Sequence, residues 1–328
     1  MNKKSYHWDL ALSNALSGAN LSFFVSLTRN GIAYEQLFML QVAAGALCFI
    51  PLALLSPHTY RLAWHDLKHI FFVALLVIYG WMFLLVWGAS YTTPIDGAII
   101  ATLGPAFTLL ADRLINRRVR LNAGRIVGIC CAFAGAWLLV FDKGFVLVHG
   151  SRGFGNLLIL FAVLATATNT VLIKPQLERL GAATIIGWYY FIGLVVTLPF
   201  FGHLIHPEEL LRLPSTLFWE LLYLLVLGTV GPMWLLYRGT ERLTAVHTAL
   251  YRYIQPLVAG TLGFVRHQTA FDRTNLAALA LIFLGILGTV IGYRRSLKLL
   301  SESLAPRHFH QRRRWPKASR SDGPESAD

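Results

Sequence analysis

Ten apolar stretches of bilayer-crossing length follow one another along this chain, separated only by short connections such as SPHTYR, DKG, HPEE and RLPS. A helix needs about 20 predominantly apolar residues to cross a hydrocarbon core. By that measure the stretches lie near residues 8–27, 35–55, 68–90, 94–111, 123–141, 155–173, 182–202, 216–239, 244–264 and 274–293. Backbone in lipid must satisfy its own hydrogen bonds, so the expected fold is all-α and integral to a membrane, with ten transmembrane helices and no soluble domain. Composition agrees: 55% of the 328 residues are hydrophobic, 14% are charged, and the mean hydropathy is +0.55.

The formal net charge of +13 invites a nucleic-acid reading. That reading needs a basic face with groove-reading or base-stacking elements, whereas here the charge lies in short loops and a tail, so no nucleic-acid partner is expected. With the N-terminus cytoplasmic, thirteen Lys and Arg fall in loops on that side and six on the other, which places both termini in the cytoplasm of a bacterial-type inner membrane. Residues 294–328 add nine more basic residues to a polar, Pro-containing stretch expected to be disordered, in which Arg312, Arg313 and Arg314 are suited to anionic lipid. Asp9, Asn14 and Asn20 interrupt what would be a signal peptide's apolar core, so the first helix is expected to be retained. Cys48, Cys130 and Cys131 lie in apolar runs without metal-binding spacing.

A shift of 151 residues pairs Gly80 with Gly231, Met82 with Met233, Gly88 with Gly239, Thr93 with Thr244 and Pro105 with Pro256. A slightly shorter shift adds Gly45 with Gly193 and Pro51 with Pro199. The chain therefore reads as a duplicated five-helix unit, residues 1–144 and 145–293, followed by the tail. Five crossings is an odd number, so the second copy enters from the opposite side and the repeat is inverted.

The stretch TTPIDGAIIATLGPAFTLL followed by GRIVGICCAFAGAWLLV, and its partner TAVHTALYRYIQPLVAG followed by NLAALALIFLGILGTVI, resemble the drug/metabolite transporter superfamily in its EamA-like branch. The resemblance covers nearly all of residues 8–293. It implies a membrane exporter or importer of small metabolites, amino acids among them, with no cofactor. Members often carry a Glu before the central proline and a Gly-Glu at the next turn; here Gly104 and Gln255 precede the prolines, and the Gly-Glu is missing around Val119 and Thr269. Inverted repeats recur in secondary transporters, which hold substrate near the midplane between halves that rock around it.

Within the ninth segment sits Arg252, a charge that is costly at membrane depth unless it is paired or faces water. Thr248, Arg252, Gln255 and Ala259 are spaced 4, 3 and 4 and so share one helix face. Their repeat mates Gly97, Ala101, Gly104 and Thr108 are small. One repeat thus leaves space where the other places a guanidinium and an amide, and Pro105 and Pro256 are expected to break their helices and free carbonyls nearby. A guanidinium grips a carboxylate or phosphate in bidentate fashion, which makes Arg252 a candidate anchor for an anionic substrate. The other reading is structural: Arg252 fills the small face and pairs internally. Asp96 is the obvious partner, but its backbone lies about 15 Å away in depth, too far for direct pairing.

Asp9, Ser13, Ser17 and Asn20 form a polar stripe on the first helix, and Thr166, Asn169, Thr170 and Lys174 form one on the sixth. Matched stripes favour a water-filled central cavity lined by Asn20 and Asn169. Among the aromatic residues, Tyr79 and Trp234 occupy mid-membrane segments and are the better candidates for stacking on a substrate. Asp96, and His247 at the mirrored position, are candidates for proton coupling.

Gly124, Gly128, Cys131 and Gly135 make a small stripe, read as helix packing within the bundle with a homodimer interface as the alternative. His267 and Asp272 reproduce an acyltransferase HxxxxD spacing but nothing more of that signature, and no phosphate-binding GxxxxGK[ST] loop is present. The expected activity is alternating-access transport, in the export direction, of a small polar or anionic metabolite such as an amino acid, without metal or catalytic residues. The alternatives are a membrane scaffold or lipid-binding protein and, remotely, a membrane acyltransferase.

Overall fold

The computed structural model describes residues 3–116, 123–141 and 150–268, with isolated positions between 273 and 284. Most of the tenth segment, the basic tail and Asp272 therefore lie outside the described residues. Every regular element among those described is helical. Seven helices are long and apolar enough to cross a membrane. They are α1 (Lys3–Arg29), α2 (Tyr34–Leu54), α3 (Trp64–Ala89), α4 (Pro94–Asn116), α6 (Arg152–Leu172), α7 (Lys174–Phe201) and α8 (Ser215–Arg242), with α5 (Ala123–Phe141) between α4 and α6. The last, α9, is built from Ala245–Leu250 and Ile254–Val265 joined by a 3₁₀ turn, Tyr251–Tyr253. Large apolar side chains face outward, among them Leu47, Phe72 and Leu257 at 70% exposure or more, a surface suited to lipid tails. Cys48 and Cys130 also point outward.

The helices pack in a crossed pattern. α2 runs along α7 in the most extensive contact of the bundle; α1 packs on α8 and α9, while α6 packs on α3 and α4. The first half of α4, Pro94–Ala101, lies against the second half of α9, and Gly104–Asn116 lies against Ala245–Leu250. The two helices therefore run antiparallel, with their interruptions at one level.

Those interruptions have a local cause. Proline has no N–H to offer the carbonyl four residues back, and its ring crowds that carbonyl. For Pro105 that carbonyl belongs to Ala101, and for Pro256 it belongs to Arg252. α4 is interrupted at residues 102–103 and α9 at Tyr251–Tyr253. At the first break the backbone tightens to three-residue hydrogen bonds, from Thr102 N to Ile99 O at 3.1 Å and from Leu103 N to Ile100 O at 3.0 Å.

A second irregularity is shared by α3 and α8. Each contains a π-helical stretch, Leu76–Phe83 and Val226–Val230. Such stretches rotate the following residues relative to a regular helix and frequently mark functional sites.

Candidate functional site

Between these elements lies a central cavity with ≈ 910 Å³ of empty space, its open mouth included. α1 supplies Ser13, Asn14, Ser17 and Asn20; α2 supplies Gln41; α8 supplies Gly228, Thr229, Pro232 and Met233 from and just after its π stretch. Gly97 and Ala101 of α4, Thr166 of α6, and Arg252 and Gln255 of α9 close the wall, with Phe24, Trp81 and Tyr190 as its aromatic contributors.

Arg252 is half-buried, and Nη2 donates to Thr166 Oγ1 at 3.2 Å. None of the ion pairs among the described residues involves it. Its stem lies over Gly104, where an added methyl would meet Nε at 2.8 Å and Cζ at 3.2 Å. A side chain at 104 would require the Arg252 side chain to shift from this position. Gln255 donates to Asn14 Oδ1 at 2.8 Å. The close passage of α1 over the Gln255 backbone, where a methyl on Gly18 would come within 2.7 Å of the carbonyl oxygen, holds that pair in register.

The other expected site residues fall around this cavity in different ways. Thr108 donates to Gly104 O at 2.7 Å, and Thr248 is buried with its hydroxyl unpartnered among the described residues; neither is among the residues that line the cavity wall. Asn169 donates to Tyr237 Oη and accepts from Tyr189 Oη, both at 2.9 Å, so most of the α6 stripe faces a tyrosine cluster beside a separate small void. Lys174 continues that stripe by donating to Glu241 O at 3.0 Å at the end of α8. Tyr79 meets Thr197 Oγ1 at 3.2 Å and packs on Phe38, and Trp234 stacks on Phe49 at 6.5 Å; Trp81 reaches the cavity instead. The side chain of His247 lies outside the described residues.

Asp96 is 1% exposed and ion-paired with Arg152 at the start of α6. At the same end of the bundle, Arg266 pairs with Glu220, donates to Ser26 Oγ at 3.1 Å and sits 4.7 Å from the Phe23 ring. The opposite end holds Asp9 with Arg238 at 3.2 Å, and Asp66 with Arg179. Gly128 and Gly135 of the small-residue stripe are buried in the bundle. His267 is exposed in the turn after α9.

Sequence reasoning missed Gln41. It is 4% exposed, and its Nε2 donates to Thr229 Oγ1 at 2.8 Å. A lone amide in the apolar run LFMLQVAAGALCFI was the available signal, because polar side chains within membrane helices need a partner.

An all-helical, multi-pass membrane protein wrapped around a largely apolar cavity with a few polar side chains on its wall is the class that fold and site define. The chain belongs to the EamA-like transporter family, whose model matches residues 10–141 and 153–291, and with it to the drug/metabolite transporter superfamily. It is similar to the uncharacterized transporter YetK of Bacillus subtilis, at 26% identity over 210 residues, a match spanning 63% of each chain. An uncharacterized transporter of Archaeoglobus fulgidus is 21% identical over 269 residues, covering 80% of this chain and 93% of its own. A solved crystal structure superposes with a TM-score of 0.61 at 16% identity, over 90% of this chain and all of that one, a likeness of fold.

Proposed function

We propose that the chain is a ten-helix secondary transporter of two inverted five-helix repeats, residues 1–144 and 145–293, which exports a small polar or anionic metabolite by alternating access. The observation that carries the substrate class is Arg252: a half-buried guanidinium on the cavity wall, held by a hydroxyl and facing no carboxylate among the described residues. A charge left without a counter-ion at such depth is costly, and an anionic ligand removes that cost when it binds.

Support for the inverted repeat comes from packing. The contacts of α1 with α8 and α9 mirror those of α6 with α3 and α4, and the antiparallel α4 and α9 are interrupted ahead of matching prolines. Reconstitution into proteoliposomes tests the proposal. Saturable flux of a small carboxylate that disappears in Arg252→Ala supports it, and flux indifferent to that change removes Arg252 from the binding site. Asp96, held by Arg152, and His247 are the proposed coupling residues.

A further inference from the structure

The side chains around Arg252 divide into those already bonded within the protein and those with only hydrocarbon to offer. Ser13 and Ser17 donate to Pro232 O and Ser13 O, each at 2.8 Å. Gln255 donates to Asn14 Oδ1, and Asn14 donates in turn to Leu10 O, both at 2.8 Å. Gln41 donates to Thr229 Oγ1 at 2.8 Å, and the hydrogen of that hydroxyl goes to Leu224 O at 2.9 Å. Asn20 donates to Gly228 O, and its own oxygen, like that of Gln41, is closed off inside the wall.

These bonds tie α1 to α8 and α9, and α2 to α8. Uncharged polar side chains in membrane helices commonly serve as such links, so holding the wall together accounts for their presence. What the wall presents besides them is apolar: Phe24, Trp81, Met82, Leu85, Met233 and Leu236, from α1, α3 and α8. Phe24 and Tyr190 are 2% and 1% exposed, whereas Trp81 is half-buried, which makes its indole the ring with surface left for a ligand.

Against this surface stands one charge. Arg252 gives Nη2 to Thr166, and no Asp or Glu is among the described residues that line the cavity. Asp9, Asp66, Asp96 and Glu220, on the helices that build it, are each ion-paired elsewhere, with Arg238, Arg179, Arg152 and Arg266. A ligand with a single negative charge balances the guanidinium. An ammonium or a second carboxylate would enter a largely apolar space with no opposite charge to receive it, and an unpaired charge away from water is costly. An apolar body meets the reverse condition, since each methylene removed from water against such a wall tightens binding about fourfold.

Resting on the transport reading above, we infer that the substrate is an apolar monocarboxylate, an acid with an aromatic ring or branched chain and no amino group, and that Trp81 is the residue that selects its apolar body. The guanidinium fork takes the carboxylate.

The test uses the purified full chain, with apparent dissociation constants from the concentration dependence of its melting temperature. The probes are propionate, phenylpropionate, phenylalanine and phenylpropionamide. Phenylalanine is phenylpropionate with an ammonium added; the amide keeps the ring without the charge and reports partition of the ring into detergent. Wild type should hold phenylpropionate roughly tenfold or more tightly than each of the other three. In Trp81→Ala its advantage over propionate should fall several-fold, whereas a general loss of structure would lower both affinities and leave the ratio unmoved. Trp81→Gln, which keeps more bulk, serves where the alanine variant does not fold. In Arg252→Ala the advantage over the amide should disappear.

Phenylalanine held as tightly as phenylpropionate would overturn the inference, because the cavity would then be receiving an ammonium. So would propionate held as tightly as phenylpropionate, or a ratio unmoved in the folded Trp81 variant. In each of these cases, acids that still require Arg252 leave the transport reading standing, and the apolar selectivity alone is lost. If no acid binds the wild type, or the amide binds as tightly as the acid, the Arg252 anchor fails as well.

Discussion

Arg252 crosses the chain at Gly104, so close that a single methyl added to the glycine would meet Nε at 2.8 Å. This contact joins the two interrupted helices, one from each half of the sequence, and sets where the guanidinium rests. It also makes the missing side chain on α4 a condition of the positive charge on α9.

Gly104→Ala should therefore displace Arg252. Alanine is the better helix former, by about 1 kcal/mol in a helix interior, so local propensity gives no reason for damage. Overpacking costs typically about 1–3 kcal/mol. The expected outcome is a protein that inserts and purifies normally, melts within a few degrees of wild type, and has lost most anion-dependent thermal stabilisation. Undiminished stabilisation would mean that the guanidinium does not need this gap.

Asp96 and Arg152 should behave as a coupled unit. Removing one member of a buried pair costs about 3–5 kcal/mol, because the other is left charged and desolvated. Asp96→Asn and Arg152→Gln should each lower the melting temperature strongly, and the double variant should be less unstable than the sum of the two. Additive losses would show that the contact contributes no coupling. If Asp96 also carries the proton, Asp96→Asn will abolish acceleration of flux by a pH gradient while leaving exchange between equal pools intact.

The Glu220 and Arg266 cluster should hold its end of the bundle together in this conformation. Arg266 draws on Glu220, Ser26 and the Phe23 ring at once. In Arg266→Gln, a cysteine probe introduced at Ser22 should react faster with a membrane-impermeant thiol reagent than the same probe in the wild-type background. Equal rates would mean that the cluster does not guard access from that end.

Much of this arrangement was legible before any coordinates. Apolar run lengths located the seven helices that are long and apolar enough to cross a membrane, and the 151-residue offset matched the prolines whose helices are interrupted at one level. The α1 stripe of Ser13, Ser17 and Asn20 reaches the cavity, as do Gly97, Ala101, Arg252 and Gln255. The α6 stripe divides, because spacing along one helix does not say whether its polar face meets water or a neighbour's side chain. Asn169 found Tyr189 and Tyr237, two hydroxyls on other helices.

The aromatic and amide positions were hidden for a different reason. A wheel drawn at about 100° per residue assumes an unbroken helix. Only its mid-membrane position singles out Tyr79, and the π stretches of α3 and α8 shift the helical register, so a regular wheel would not place Trp81 rather than Tyr79 at the cavity. Gln41 left no stripe at all. Its role follows only from the Thr229 hydroxyl on α8, 188 residues away in sequence.

The most direct measurement is saturable flux of small carboxylates into proteoliposomes by wild type, Arg252→Lys and Arg252→Ala, at matched protein density. Wild type should show a carboxylate whose uptake saturates; Arg252→Lys, which keeps the charge but loses the bidentate fork, should raise KM by roughly tenfold; Arg252→Ala should abolish saturation. Three indistinguishable saturation curves would contradict the assignment of Arg252 as the substrate anchor.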